Sequence, residues 1–378
     1  MHEHERYMHK ALALAEQGRG SVEPNPMVGA VIIRDGQVIG RGRHERFGQP
    51  HAEINALENC HSQGHDPAGA SMYLNLEPCS HTGKTPPCAD ALIAARLARV
   101  IVAMNDPFPQ VAGRGIEKLR QAGIEVITDI CHEQARQLNA PYIKRVNTGL
   151  PWVILKWAQT LDGKIATASG DSRWISNPDS RRYVHHLRAR VDAVMVGIGT
   201  ALADDPQLTA RDVPVQRIAR RVVLDPQLRL PEGSQLAQSL DEAPLTLAVR
   251  EALLREPRAS VEQWRQRGVE IISLPRQDRP QSHARLDLQP LLKHLAEQHQ
   301  ATNVLVEGGA ALAGALLNQG LVDELIVFVG PKLMGDPSAR TAVRIGPCAT
   351  ISQTRPLVLC DMARIGDDVM LNYRIAEA

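Results

Sequence analysis

Aromatic residues make up only 3% of this 378-residue chain, so rows of rings that stack nucleobases are not expected. An excess of charge of one sign is also missing. Lys plus Arg number 43 and Asp plus Glu 42, a net +1 that removes the global field drawing in nucleic acid or anionic membrane, although a local basic patch stays open. No apolar run approaches the roughly 18 residues of a membrane span, and stretches such as Trp152 to Leu155 have strand length. The opening Met1-His2-Glu3-His4-Glu5 lacks a basic segment followed by an apolar one, so export is not expected and the compartment reads as cytoplasmic. Six cysteines (Cys60, Cys79, Cys88, Cys131, Cys348, Cys360) are too few and too scattered for a disulfide framework. Reduced thiols fit better, some of them as metal ligands.

What is present is ordinary globular usage over a length that predicts two or three domains at about 150 residues each. Met8, Ala11, Leu12 and Ala15 recur at helical spacing, and Val28–Ile33 with Gln37–Gly40 reads as a hairpin around Asp35-Gly36. Helices are expected over Ala52–Cys60, Cys88–Leu97 and Cys131–Lys144, and strands over Ser71–Leu76, Arg99–Met104 and Gly123–Thr128. The turn-forming cluster Asn147 to Pro151 marks a boundary, giving domains 1–148 and 149–378. A second α/β series follows, with strands expected at Trp152–Ala158, Ala193–Val196, Arg221–Asp225, Leu245–Val249, Val269–Ser273, Asn303–Val306 and Glu324–Val329. Helices are expected over Pro178–Arg190 and Ala310–Gln319, a turn over Thr160–Ala166 and a polar loop over Pro275–Pro290.

In the first domain His51 and Glu53 open a helix, Cys79 follows a strand and Cys88 opens another helix after Pro86-Pro87. A catalytic zinc takes three such His and Cys ligands and leaves a fourth position for water, whose pKa falls to about 7. Helix starts favour the thiolate form that a metal requires. Glu53, two residues past His51, could move protons between water and a substrate nitrogen without ligating. His-x-Glu followed by Pro-Cys and a second Cys is the signature of zinc nucleobase deaminases, here with eight residues, Ser80 to Pro87, between the cysteines instead of two. A closed zinc knot or plain core cysteines are the bland alternatives. His2, His4 and His61 read as surface histidines, and His81 as a substrate or supporting residue, since a fourth protein ligand would close the site.

In the second domain Lys156 interrupts an apolar strand, which points equally to a pocket-facing cation or to a lysine snorkelling from an edge strand. Val304-Leu305-Val306-Glu307-Gly308-Gly309 passes from a strand through a Gly-Gly turn into a helix, a junction whose free N–H groups suit a phosphate. The Gly-x-Gly-x-x-Gly dinucleotide fingerprint is absent.

Together the motifs Pro24-Asn25-Pro26, Gly42-x-His44, His51-Ala52-Glu53, Glu77-Pro78-Cys79, Gly83-Lys84-Thr85-Pro86-Pro87-Cys88, Lys156-x-Ala158 through Lys164, Trp174-Ile175, Asp204-Asp205-Pro206 and Glu307-Gly308-Gly309 resemble the bifunctional riboflavin-biosynthesis deaminase/reductases over nearly the whole chain. The resemblance implies a cytidine-deaminase-like three-layer α/β domain followed by a dihydrofolate-reductase-like α/β domain. It implies Zn2+ in the first and NADPH in the second. The implied chemistry is hydrolytic deamination of a phosphoribosylamino-diaminopyrimidinone, then reduction of its ribosyl group to ribityl. Asn25, His44, His81 and Lys84 would contact the first substrate. Ala158, Trp174, Thr200, Asp204 and the turn Gly309, Ala310, Ala311, Leu312, Ala313, Gly314, Ala315 would line the NADPH site. Ser172, Arg188, Leu208, Arg211 and Glu307 would face the second substrate, both arginines gripping phosphate bidentately. Lys156 would polarise or protonate the opening ribose, with Asp204 as the competing group. Relatives usually carry a small hydroxyl residue toward the cofactor where this chain has Pro226. The expected partner is this small molecule, with neither nucleic acid nor membrane, and the expected assembly is a homo-oligomer, a dimer or tetramer. The rival reading is a tRNA-type base deaminase with an accessory nucleotide-binding domain, against which near-zero charge, few aromatics and the cysteine spacing all count.

Overall fold

The computed structural model describes residues 3–80, 87–108, 111–255, 257–276 and 286–376. Two compact units share the chain, Met1–Gly149 and Leu150–Ala378. In the first, α1 (Glu3–Glu16) precedes the hairpin β1 (Gly29–Arg34) and β2 (Gln37–Arg43), whose turn residues Asp35 and Gly36 have φ of 50° and 75°. Then come α2 (Ala52–Ser62), β3 (Ser71–Leu74), α3 (Cys88–Ala94), β4 (Arg99–Val102), α4 (Arg114–Gln121), β5 (Glu125–Ile127), α5 (His132–Leu138) and α6 (Ala140–Thr148).

Among the described residues these strands form a five-stranded sheet in the order β2-β1-β3-β4-β5, antiparallel across β2, β1 and β3 and parallel beyond. Side chains alternate across a strand, and both faces here are apolar. Ile32, Met72, Leu74 and Val100 pack against α2, α3 and α4, while Val31, Tyr73 and Ile101 pack against Tyr7, Met8 and Ala11 of α1. The result is three layers. The α2 helix lies so close to β2 that a Cβ on Gly42 would sit 2.3 Å from the Ala52 carbonyl oxygen, which fixes the start of α2 and hence His51 and Glu53.

Two local expectations need correction. Cys131–Lys144 is not one helix: Asn139, accepting from the Met27 amide (2.8 Å) and donating to the Met27 carbonyl (3.0 Å), breaks it into α5 and α6. The boundary turn also starts later, because α6 continues through Thr148 to Gly149 at φ 71°.

The second unit holds β6 (Trp152–Thr160), β7 (Lys164–Ala166), α7 (Pro178–Arg188), β8 (Ala193–Gly197), α8 (Ile198–Asp204), β9 (Arg220–Leu224), α9 (Gln235–Gln238), β10 (Leu245–Arg250), α10 (Ala259–Gln266), β11 (Glu270–Leu274), α11 (Gln289–Gln298), β12 (Asn303–Glu307), α12 (Ala310–Asn318), β13 (Glu324–Gly330), β14 (Arg340–Thr341), β15 (Leu357–Ile365) and β16 (Asp368–Ile375). Nine of these strands among the described residues order as β11-β10-β9-β8-β12-β6-β13-β16-β15, parallel from β11 to β13 and antiparallel at the last two. Apolar runs such as Val194 to Val196 and Val304 to Val306 are buried on both faces, as a helix-covered parallel sheet requires.

Strand β6 lies between β12 and β13, so Lys156 is internal and the edge-strand reading falls. The expected turn over Thr160–Ala166 narrows to residues 161–163, since β7 pairs with β14. The expected loop over Pro275–Pro290 ends at Gln289, where α11 begins, and its residues 277–285 lie outside those described. All six cysteines are free thiols, but Cys348 and Cys360 are exposed and have no structural role in a core. His4 is not simply solvated, because its Nδ1 shares a 2.9 Å hydrogen bond with the Tyr73 hydroxyl. No helix among the described residues is long and apolar enough to cross a membrane.

Candidate functional site

In the first unit His51 caps α2, Cys88 is the first residue of α3, and Cys79 follows β3 through a short turn. His51 Nδ1 lies 3.2 Å from Cys88 Sγ and 3.7 Å from Cys79 Sγ. Tetrahedral zinc with N and S ligands at about 2.0 and 2.3 Å places such atoms about 3.5 Å apart, so the donor set fits the ion in chemistry and spacing. The Cys88 amide donates to Cys79 Sγ at 3.3 Å, and the hydrogen bond from the Cys88 thiol, helped by His51, draws the Cys79 thiol down to about 4. The same contact and burial push Cys88 up, and the Cys79 contact raises His51.

Glu53 lies beside this triad on the first turn of α2 and is only 3% exposed, with Oε2 lacking any hydrogen-bond partner. Burial raises its carboxyl against the opposing pull of His51. Its placement suits a group that holds a proton. The structure also brings Asn25 and His44 together: Asn25 Nδ2 and His44 Nε2 are 3.1 Å apart, and His44 Nδ1 faces the Pro50 carbonyl at 3.0 Å. The His44 ring stands edge-on to His51 with centroids 5.4 Å apart. His81 and Lys84 lie outside the described residues.

One residue of this site went unassigned in the sequence. Glu77 is buried and accepts from the amides of Asp106 (3.2 Å), Gly113 (2.9 Å), Gly115 (2.9 Å) and Ile116 (3.3 Å), two residues ahead of Cys79. A Cβ on Gly115 would fall 2.0 Å from the Pro78 carbonyl oxygen, so the start of α4 presses directly on the turn carrying the ligand. A carboxyl immediately before Pro-Cys was the available signal.

In the second unit the Gly308-Gly309 turn ahead of α12 packs against Thr200 of α8. Both glycines have positive φ, and a Cβ on Gly309 would stand 3.0 Å from Thr200 Oγ1. This small-residue cradle at the ends of β8 and β12 fits a dinucleotide phosphate. The expected lining over Gly309 to Ala315 is shorter, however. Leu312, Ala313 and Gly314 face the core, and a Cβ on Gly314 would fall 1.9 Å from the Arg344 carbonyl oxygen, leaving Gly309, Ala310 and Ala311, with the half-buried Ala315 one turn on, as the accessible part.

Lys156 and Glu307 sit side by side on β6 and β12, and the Lys156 ammonium lies 5.4 Å from the centre of the Phe328 ring. Burial lowers the Lys156 pKa against the attraction of Glu307. Arg188 forks onto Glu307, Nε to Oε1 at 2.6 Å and Nη2 to Oε2 at 2.8 Å, while its Nη1 donates to the Thr209 carbonyl at 3.2 Å. Burial would raise the Glu307 carboxyl, but Arg188 outweighs it and holds the group below its usual range. The expected bidentate grip of Arg188 on phosphate is therefore corrected, because its fork is occupied by Glu307. Leu208 is likewise corrected: its side chain is 2% exposed in the core and offers a ligand only backbone atoms.

Arg211 is exposed, and its amide donates to His185 Nδ1 at 3.1 Å. His185, unmarked in the sequence, thus joins Arg211 near Arg188 and Glu307, with its pKa lowered by burial and by both arginines. Trp174 is 58% exposed beneath Arg181, whose guanidinium lies 4.3 Å from the ring centre, and Ser172 precedes it in the same segment. Ala158 lies two residues beyond Lys156 on β6, and Asp204 ends α8, where burial raises its carboxyl against the pull of Arg173.

Two family models match. The RibD C-terminal domain covers residues 151–371, and the cytidine and deoxycytidylate deaminase zinc-binding region covers residues 1–104. Among curated relatives, the riboflavin biosynthesis protein RibD of Escherichia coli strain K12 is 40% identical over 97% of this chain and 98% of its own. That of Aquifex aeolicus is 40% identical over 87% of both. The chain belongs to the RibD family of riboflavin-biosynthesis enzymes.

Solved RibD structures agree. Acinetobacter baumannii RibD, form 1, superposes with a TM-score of 0.84 at 37% identity over 99% of each chain. The deaminase/reductase of Thermotoga maritima superposes with a TM-score of 0.83 at 34% identity over 99% of each. The fold is thus a cytidine-deaminase-like unit followed by a dihydrofolate-reductase-like unit, as the motifs implied. The protein is a bifunctional deaminase and reductase that uses Zn2+ and NADPH on a small-molecule substrate. This leaves the tRNA-type reading without support.

Proposed function

We propose that the unit over residues 1–148 deaminates 2,5-diamino-6-(5-phosphoribosylamino)pyrimidin-4-one and the unit over 149–378 reduces the product to 5-amino-6-(5-phosphoribitylamino)uracil. The single observation carrying the first step is the buried, unpartnered Oε2 of Glu53 beside His51, Cys79 and Cys88. These three would hold Zn2+, which supplies Lewis-acid activation of water when bound. Glu53 takes a proton from the attacking water and returns it to the leaving amino nitrogen, so that water adds to the ring carbon and ammonia departs. Asn25 and His44, already joined, orient the pyrimidine and its ribose. His81 flanks the substrate, and Lys84 meets its phosphate as a compact point charge.

In the second unit NADPH, when bound, would supply the hydride that reduces the ribose carbon bonded to nitrogen. Thr200, Gly309, Ala310 and Ala311 would hold the cofactor's phosphates through hydroxyl and amide groups, while Ala158, Trp174 and Asp204 would flank the rest. Lys156 delivers a proton to the ring oxygen as the sugar opens, favoured over Asp204 because it adjoins Glu307 and is enclosed. Arg188 positions Glu307 against the sugar hydroxyls. Ser172, the Leu208 backbone and Arg211 carry the phosphate end.

The chain further reads as a cytoplasmic homo-oligomer. Leu357, Val358, Leu359 and Met362 on the outermost strand β15 are 43 to 64% exposed, an apolar edge that a second copy would cover. Incubating the protein with the diaminopyrimidine substrate, with and without NADPH, tests the reading. Ammonia should appear in both cases and the ribityl product mass only with NADPH, whereas no ammonia without NADPH contradicts it.

A further inference from the structure

Among the described residues, one other group of side chains has the spacing of a metal centre: Glu270, His294 and His299, whose donor atoms all lie within 4.8 Å of one another. Glu270 opens β11 at the edge of the large sheet. His294 lies on α11, and His299 caps that helix at its C-terminus. The His294 Nε2 is 2.8 Å from Glu270 Oε1, and the His299 Nε2 is 3.0 Å from Oε2, with the two rings edge-to-face at 5.4 Å. The group sits at the start of β11, the opposite end of the parallel strands from the Gly308-Gly309 turn, so the proposed reductase chemistry does not use it.

We infer that this is a second, structural site for a divalent transition metal, clipping the C-terminal end of α11 to the edge strand β11. Two imidazoles and a carboxylate are a ligand set for zinc, cobalt or nickel. Side-chain exposures of 31, 25 and 28% leave room for solvent to complete the coordination. Thr246 Oγ1 donates to Glu270 Oε2 at 2.8 Å and Arg220 Nη1 does so at 3.3 Å, holding the carboxylate in place as supporting residues of metal sites do. Buried Leu291, Leu292 and Leu295 anchor α11 to the core, which fixes the helix that carries the imidazoles. Arg220 is also a cation facing the site, so this centre binds more weakly than the Cys79, Cys88 and His51 set and fills after it.

The test uses untagged, full-length protein carrying one equivalent of zinc, dialysed against Co2+ and passed through a desalting column, with both metals counted per chain. One retained cobalt is expected, with ligand-field absorption but no thiolate-to-cobalt charge transfer, together with a higher thermal midpoint for the reductase unit. His294→Ala/His299→Ala should retain no cobalt and keep its zinc and its ammonia release. Should that variant not fold, Glu270→Gln is read by the same criteria. Wild type that retains no cobalt, meaning a purely hydrogen-bonded cluster, overturns the inference, as does cobalt that persists in the folded variant.

Discussion

Arg188 and Glu307, 119 residues apart in sequence, meet as a two-point ion pair with contacts of 2.6 and 2.8 Å. Their side chains are only 12 and 13% exposed, and Lys156 stands beside them, so three charged groups share one enclosed place with one cation in surplus. The pair fixes the carboxylate proposed to face the sugar and makes the reductase unit depend on both members.

Replacing Glu307 with Gln keeps the volume and strands two buried cations. Breaking one side of a buried pair costs about 3–5 kcal/mol, so the thermal unfolding transition of the reductase unit should fall sharply. NADPH oxidation on supplied deaminated substrate should fall with it, while ammonia release persists. An unchanged transition would show that Arg188 finds another partner.

Lys156→Met tests the surplus cation. Burial lowers the Lys156 pKa below its ordinary 10.5, so between those two values the unfolded chain binds more protons and stability rises with pH. Below that window the full penalty of the buried charge applies. Removing the ammonium should therefore stabilise the protein at neutral pH, by an amount that shrinks as pH approaches 10.5, while abolishing reduction. Destabilisation at pH 7 would instead mean that Lys156 contributes a net favourable charge interaction with Glu307.

Glu77→Ala leaves four amides without their shared acceptor. At about 1–3 kcal/mol for a buried unsatisfied group, the start of α4 should loosen and the turn bearing Cys79 with it. The expected result is faster zinc loss to a chelator and weaker ammonia release, with NADPH oxidation intact. Glu77→Gln, which keeps one acceptor oxygen, should fall between. Zinc retention equal to wild type in both variants would separate Glu77 from the metal turn.

The parts of this architecture legible in the sequence are the short-range ones. Asp35-Gly36 requires positive φ, His51-Ala52-Glu53 puts two functional groups on one helix start, and the buried parallel strands read as unbroken apolar runs. What was hidden depends on distant contacts. Asn139 breaks a helix because of Met27, and no local periodicity reports a partner 112 residues away. Glu77 finds its amides 29 to 39 residues downstream, and nothing local in the sequence pairs Arg188 with Glu307, 119 residues away. The β15-β16 hairpin escaped because its outer strand is exposed and lacks the alternation of a half-buried strand. In α12 the resemblance implied a cofactor lining as far as Ala315, but contact with Arg344 turns Gly314 inward.

The most direct measurement is made on Glu53→Gln, in the full chain with zinc content verified, following ammonia release from the diaminopyrimidine substrate and NADPH oxidation on supplied deaminated substrate. Loss of a positioned proton-transfer group lowers rate by about 10²–10⁴-fold, so ammonia release should fall by that factor. NADPH oxidation should stay at the wild-type rate. Ammonia release within a few-fold of wild type, or an equal fall in both activities in a folded, zinc-loaded variant, would contradict two separate sites with Glu53 as the proton carrier of the first.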